Sequence, residues 1–136
     1  MRLLSAAFAF ILVISCSKSD QTFELNETVS IPFGKTAKLN DGDKPIFKFT
    51  KLIEESRCPE GTNCIWAGRV LIELTIDDDQ THQLGLGDLE TGDNSIEETA
   101  DFGNYEIQLI DASFGAESDY GKEEKYTVKI KVLPKS

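Results

Sequence analysis

The chain has few of the residues that build metal and catalytic sites. Its 136 residues include one His and three Cys, so a four-ligand zinc site made of these residue types would have no spare member. Basic residues are also outnumbered, since 14 Lys and Arg stand against 24 Asp and Glu, a formal net charge of -10. A phosphate backbone requires a basic surface on its partner. We therefore expect no cofactor and no nucleic-acid partner.

Long apolar runs and helical periodicity are missing as well. The apolar stretch at 3–14 has twelve residues, broken only at Ser5, whereas a membrane-spanning helix needs about 20. Apart from one turn near 94–100, no useful window repeats apolar residues at helical spacing. Hydrophobic residues still make up 40% of the chain and include eight Phe, enough for a folded core. The length leaves room for one domain.

The first 15 residues are typical of a secretory signal, with Arg2, no acidic residue, a short apolar stretch and the small Ser15. The segment ends in the sequence Val13-Ile14-Ser15-Cys16, which resembles the lipobox of bacterial lipoproteins. The resemblance implies cleavage before Cys16, diacylation of that residue and acylation of the new amino terminus. An ordinary signal peptide with an unrelated Cys nearby is the alternative. A free thiol at the start of an exported chain would be a liability, which favours lipidation.

This organisation predicts a domain held at a membrane by its amino terminus. Two acyl chains supply the double anchoring that one chain cannot. Residues 16–22 would be the lipidated Cys and a polar, flexible linker, and residues 23–136 the folded domain. We expect the protein in the bacterial cell envelope. Ser17 after the anchor suits the outer membrane under the enterobacterial sorting rule.

The rest of the chain alternates apolar and polar residues with a period of two. In the clearest strand, 69–77, Val70, Ile72, Leu74 and Ile76 face inward. Similar alternation occurs at 29–39, 46–49, 84–86, 105–109 and 126–132, with turn signals at 40–43 and 77–79 and longer loops at 85–98 and 111–123. About seven short strands predict a single all-β domain, an antiparallel sandwich or a squat barrel.

The most distinctive segment, 57–68, has the sequence Arg57-Cys58-Pro59-Glu60-Gly61-Thr62-Asn63-Cys64-Ile65-Trp66-Ala67-Gly68. In an exported chain, Cys58 and Cys64 are expected to form a disulfide around a turn. The closed loop is small, so the chain-entropy model gives about 2–2.5 kcal/mol of stabilisation. The neighbouring Trp66 is expected to pack over the disulfide or a strand crossover and to anchor the loop to the core.

The same segment resembles a motif of uncharacterised bacterial envelope proteins and lipoproteins. These carry an Arg-Cys-Pro segment, a second Cys and then Trp-Ala-Gly entering a strand. The matching residues here are Arg57-Cys58-Pro59 and Cys64-Ile65-Trp66-Ala67-Gly68, within a broader resemblance over 45–135. The resemblance implies a small extracytoplasmic β domain and no particular activity.

Catalytic and metal-binding interpretations find little support in the sequence. Cys58 and Cys64 are spaced more widely than a redox-active Cys-x-x-Cys pair, which favours a structural disulfide. His82 is the only obvious base, and no nucleophile motif such as Gly-x-Ser-x-Gly accompanies it. The acidic runs at 77–79 and 88–98 lack EF-hand spacing, so solvated loops are expected, with an irregular Ca²⁺ site as the alternative. We therefore expect a protein that is not an enzyme.

Three hypotheses for function remain. The first is a tethered binding module whose loop contacts an envelope protein or a glycan. The second is a structural or accessory envelope protein, and the third is a protease inhibitor that presents the 58–64 loop with Arg57 or its neighbours as bait. The interaction loop of the first hypothesis comprises Arg57, Pro59, Glu60, Asn63 and Trp66.

The lipobox leads to a direct prediction about Cys16. Replacing it, as Cys16→Ser, should abolish acylation and release or mislocalise the protein, because the thiol is the acceptor of the lipid. Metabolic labelling with a palmitate analogue measures this. Equal labelling of the wild type and the variant would contradict the lipoprotein prediction.

Overall fold

The computed structural model describes residues 21–40, 44–90 and 96–136. The predicted signal segment, the lipobox with Cys16, the 40–43 turn beyond Asn40 and part of the 85–98 loop lie outside the described residues. None of the helices within the described ranges is long and apolar enough to cross a membrane.

The described chain is almost entirely β-strand. Its strands are β1 (Gln21–Phe23), β2 (Thr28–Pro32), β3 (Thr36–Leu39), β4 (Ile46–Glu55), β5 (Arg69–Ile76), β6 (Gln80–Gly87), β7 (Thr99–Phe102), β8 (Tyr105–Phe114) and β9 (Tyr126–Pro134). Two single-turn 3₁₀ helices, Glu117–Asp119 and Glu123–Lys125, lie between β8 and β9.

These strands form two sheets that pack as a sandwich, which confirms the predicted all-β fold. One sheet has the order β1-β3-β4-β5-β6, and the other has the order β2-β9-β8-β7. Neighbouring strands are antiparallel except β1 and β3, which are parallel. Near its start the chain crosses from the first sheet to the second at β2 and back at β3. In the second sheet, β2 pairs with β9, which lies far from it in sequence.

Most of the core between the sheets consists of residues whose alternation was apparent in the sequence, and Phe23 and Ala112, which lay outside that alternation, also belong to it. On β5, Val70, Ile72, Leu74 and Ile76 are all buried, as predicted. The Phe47 ring lies 5.8 Å from Phe23 of its own sheet and 6.5 Å from Phe102 of the other sheet, measured between ring centroids. Aromatic rings in such tilted contacts fill the space between two sheets without stacking face to face.

A smaller apolar cluster covers the outer face of the larger sheet. Leu71 has the opposite parity to the core residues of β5, yet it is only 2% exposed. Its side chain meets those of Leu89 and Ile96 around the backbone of Gly85 on the neighbouring strand β6. The Gly85 amide donates a hydrogen bond to the Glu97 carbonyl oxygen at 3.0 Å, which holds this covering segment on the sheet edge.

The described part of the chain has nine strands where the alternation predicted about seven. The strands β1 and β7 have three and four residues, too few to show a period-2 pattern. Gln21 and Thr22, predicted as linker, belong to β1, where they pair with β3. The predicted loops also begin too early, because β6 continues to Gly87 and β8 continues through 111–114.

The position of Phe47 at the centre of the sandwich gives a test of the fold. The variant Phe47→Ala should lower the free energy of unfolding by about 3–5 kcal/mol, because the cavity spans both sheets. Urea unfolding monitored by circular dichroism measures this change in the free energy of unfolding. Ile110→Thr is the matched control: Ile110 is 41% exposed, so a change of only about 0.5 kcal/mol is expected. Equal losses in both variants would contradict the placement of Phe47.

Candidate interaction site

The connection between β4 and β5, residues 56–68, is the candidate site, and we call it the stapled loop. Cys58 and Cys64 form a disulfide with their Cα atoms 5.8 Å apart, as the sequence predicted. Inside it, Gly61 has a positive φ of 78°, a conformation that glycine adopts without steric cost. The amide and the hydroxyl of Thr62 both donate to the Pro59 carbonyl oxygen, at 3.2 and 2.7 Å. The loop therefore has internal bonds besides its disulfide.

The base of the stapled loop is closed by a very close backbone contact. The Ser56 amide donates to the Arg69 carbonyl oxygen at 2.9 Å, and the Arg69 amide donates to the Ser56 hydroxyl at 3.1 Å. A Cβ atom on Gly68 would lie 2.0 Å from the Ser56 carbonyl oxygen. Only glycine fits there, so Gly68 allows the two arms of the loop to meet.

Two neighbouring Glu residues at the end of β4 each bind an Arg of the loop region. Glu54 accepts hydrogen bonds from Arg69, with Nη2 to Oε2 at 3.0 Å and Nε to Oε1 at 3.1 Å. The Arg69 guanidinium holds the pKa of the Glu54 carboxyl below its usual value. This pair is partly exposed and contributes little on its own.

The second pair, Glu55 and Arg57, joins the two sheets, with the carboxylate buried and 31% of the Arg57 side chain exposed. The Glu55 side chain is 2% exposed, and its Oε1 accepts from Arg57 Nε at 2.9 Å while Oε2 pairs with Arg57 Nη2. The Tyr126 hydroxyl of β9 donates to Glu55 Oε2 at 3.0 Å. Arg57 Nη2 also donates to the Ala112 carbonyl oxygen of β8 at 2.8 Å. A buried carboxylate with this many donors is compensated, and the contact raises the pKa of Arg57.

Aromatic residues from the second sheet complete this network. The Tyr120 hydroxyl bonds to the Arg57 carbonyl oxygen at 2.8 Å, and the Gly121 amide donates to the Tyr126 hydroxyl at 3.0 Å. The Phe114 ring lies 5.9 Å from Tyr120 and 5.1 Å from Tyr126. Burial, opposed by the Gly121 hydrogen bond and reinforced by Glu55, raises the pKa of Tyr126 to about 12.

A groove of about 370 Å³ separates the stapled loop from the end of β8 and the turn that follows it. Cys58, Pro59 and Glu60 line one wall. The opposite wall consists of residues 111–117 and Tyr120, with Glu55 and Arg57 also in the lining. Three residues of the predicted interaction loop, Arg57, Pro59 and Glu60, thus lie together in this groove.

The tip of the stapled loop is apolar and exposed. Within the described ranges, the exposed large hydrophobic residues are Ile65 at 100%, Trp66 at 59% and Ile110 at 41%. The prediction that Trp66 anchors the loop to the core is wrong, because 59% of the residue is exposed. Its indole N–H donates to the Ser56 carbonyl oxygen at 3.1 Å, on the outside of the loop.

The other predicted site residues, Asn63, His82 and the described parts of the acidic runs, lie outside the groove. Asn63 is exposed on the loop, outside the lining of the groove. His82 is half-buried, with its ring edge-on to Phe102 at 6.3 Å. Within the described part of the chain, no three metal-ligating side chains come together, and Asp93 of the acidic 88–98 run lies outside it.

Sequence reasoning missed Glu55, Tyr120, Tyr126 and Ile65 as parts of the site. The acidic Glu54-Glu55 pair beside Arg57 was a usable signal, because two acids next to an Arg at the end of a strand favour an ion pair there. The tyrosines gave no such signal, since they lie more than 60 residues away from Glu55 and Arg57 in sequence.

Comparison with protein-family models finds no family that matches the chain, and neither curated proteins nor solved structures give a significant match. The geometry of the site is therefore the basis for the functional proposal.

The buried Tyr126 hydroxyl predicts a high-pH transition. Because its pKa is raised in the folded state, its contribution to stability is present below pH about 10 and is lost as the pH rises through about 12. Titration of the absorbance near 295 nm should show the last of the three tyrosines ionising at about pH 12. The variant Tyr126→Phe should remove that step, and the unfolding free energy of the variant should fall less between pH 10 and 12.

Tyr105→Phe is the matched control, since Tyr105 has no part in the network. The assignment of the step near pH 12 to Tyr126 would be contradicted if Tyr126→Phe still showed that step. It would also be contradicted if Tyr105→Phe lacked the step.

Proposed function

We propose that the protein is a membrane-tethered extracytoplasmic lipoprotein that binds another component of the cell envelope through its stapled loop. The observation that carries this proposal is the tip, where a fully exposed Ile65 stands next to a 59% exposed Trp66 on a constrained loop. Adjacent apolar side chains left in water on an otherwise charged surface are typical of an interaction site. Trp is also among the residues that most often dominate binding energy.

The rigidity of the loop supports a binding role. The disulfide, the contact of Gly68 with Ser56 and the bonds from Arg57 each restrict a different part of it. A loop that is ordered before binding loses less conformational entropy when it meets a partner. The disulfide, the Gly68 contact and the Arg57 bonds thus restrict the segment that carries the exposed Ile65 and Trp66.

The place where the chain enters the domain is compatible with tethering. Gln21 of β1 pairs with Ala37, which pairs with Phe47 near the start of β4. The stapled loop follows Glu55 at the other end of β4, about 26 Å away at 3.3 Å per residue. A lipid on Cys16 would therefore attach at a distance from the tip.

The protease-inhibitor alternative is less compatible with this geometry. Bait residues must extend their side chains into the protease, but Arg57 is bound to Glu55 and to the Ala112 carbonyl oxygen. Withdrawing the guanidinium would leave the Glu55 carboxylate buried without its cation, which is costly. No observation on the described residues favours a purely structural spacer.

Site-specific photo-crosslinking in cells tests the proposal. A photoreactive residue at position 65 of the full lipidated protein should give a specific adduct with an envelope component. The control position is Gln80 at the start of β6. It pairs with Ile76, at the end of β5 that is far from the stapled loop. Trp66→Ala should reduce the yield by tenfold or more, as expected for loss of about 2 kcal/mol at a binding hot spot.

The double variant Cys58→Ser/Cys64→Ser separates binding from folding. It should lose about 2 kcal/mol of stability and keep its β spectrum, while the adduct at position 65 weakens because the tip is no longer held. Equal adducts at positions 65 and 80, or no adduct at 65 in correctly localised protein, would overturn the proposed function.

A further inference from the structure

We infer that the partner presents a basic, extended protein segment, with a Lys or Arg side chain in the groove and a neighbouring apolar side chain on the tip. This inference rests on the proposed function and specifies the chemistry of the partner. It follows from the shape of the groove, from its uncompensated charge and from its position beside Ile65 and Trp66.

The shape of the groove suits one long side chain. Its volume of about 370 Å³ lies at the small end of ligand pockets, about 300–1,000 Å³. Pro59 contributes apolar surface on the loop side, and Phe114 and Tyr120 contribute aromatic surface on the opposite side. The methylene stem of a Lys or Arg packs well on such walls. A cation within about 6 Å of an aromatic ring centroid gains a further attraction.

The charges in the groove favour a cation over an anion. Of its four acidic residues, Glu55 is paired with Arg57, and Asp111 lies 3.7 Å from the Lys129 ammonium. Glu60 and Glu117 are exposed on opposite walls and form no ion pair within the described ranges. Two negative charges thus remain uncompensated, on a chain whose net charge of -10 includes them. Such a field attracts basic partners and repels acidic ones.

The groove and the apolar tip are separated by little more than the disulfide. Cys58 lines the groove, and its partner Cys64 directly precedes Ile65. Side chains of an extended peptide alternate along the chain and are spaced about 3.3 Å per residue. Neighbouring side chains of an extended peptide point to opposite sides of its backbone. A segment that alternates basic and apolar residues can therefore contact both features when it lies along the disulfide between them. A neutral glycan could donate hydroxyl hydrogen bonds to the two carboxylates but has no charge to compensate them.

The single Trp of the chain, Trp66, reports on binding at this place. The full chain, in nonionic detergent, would be titrated with three capped octapeptides that alternate Leu with Lys, Gln or Glu. We expect only the Leu–Lys peptide to change Trp66 emission with saturation, and we expect its affinity to fall as salt is added. The variant Glu60→Gln/Glu117→Gln should bind it about tenfold more weakly.

The matched control is Glu97→Gln/Glu98→Gln, which removes two exposed carboxylates outside the groove and should bind like the wild type. The inference would be overturned if the two double variants bound the Leu–Lys peptide equally weakly, or if the three peptides bound equally well. It would also be overturned if a neutral oligosaccharide changed Trp66 emission and none of the peptides did. A specific adduct at position 65 that is unaffected by Glu60→Gln/Glu117→Gln would likewise overturn the basic partner while leaving the proposed function standing. Absence of that adduct would instead overturn the proposed function.

Discussion

The buried carboxylate of Glu55 is the constraint on which the site depends. With 2% of its side chain exposed, it requires donors from the loop and from the second sheet, and Arg57 and Tyr126 supply them. Removing one partner of such a pair leaves an uncompensated charge inside the protein, which is far more costly than the pair is favourable. The network therefore specifies where the stapled loop lies relative to β8 and β9, and the groove exists because Arg57 reaches across to Ala112.

This arrangement explains why an apolar tip remains in water. Glu55, Arg57 and the tyrosines occupy the end of the sandwich, and Trp66 lies outside this network with 59% of its surface exposed. The indole N–H finds its hydrogen-bond partner, the Ser56 carbonyl oxygen, on the outer side of the loop. The disulfide and Gly68 then prevent the loop from collapsing onto the surface. Exposure of Ile65 and Trp66 is in this sense a consequence of polar constraints beneath them.

The acidic character of the chain acts at two levels. Close to the loop, Glu54 and Glu55 bind the two Arg residues and are neutralised by them. At longer range, the remaining carboxylates give the domain a negative field. Burial distinguishes acids of the same type, since the Glu55 side chain is paired and 2% exposed, whereas Glu60 is exposed.

The sequence by itself determined the strands, their inward faces and the Cys58–Cys64 pairing, because alternation and short spacing are local properties that burial and oxidation act on directly. It did not reveal β1 or β7, which are too short to show a period and exist only because a neighbouring strand pairs with them. Tertiary structure alone decided that Glu55 meets Tyr126, 71 residues away, and that Trp66 stays outside. The reason is physical: a period of two says which face a side chain takes, whereas the strand order says which distant polar groups share the end of the sandwich.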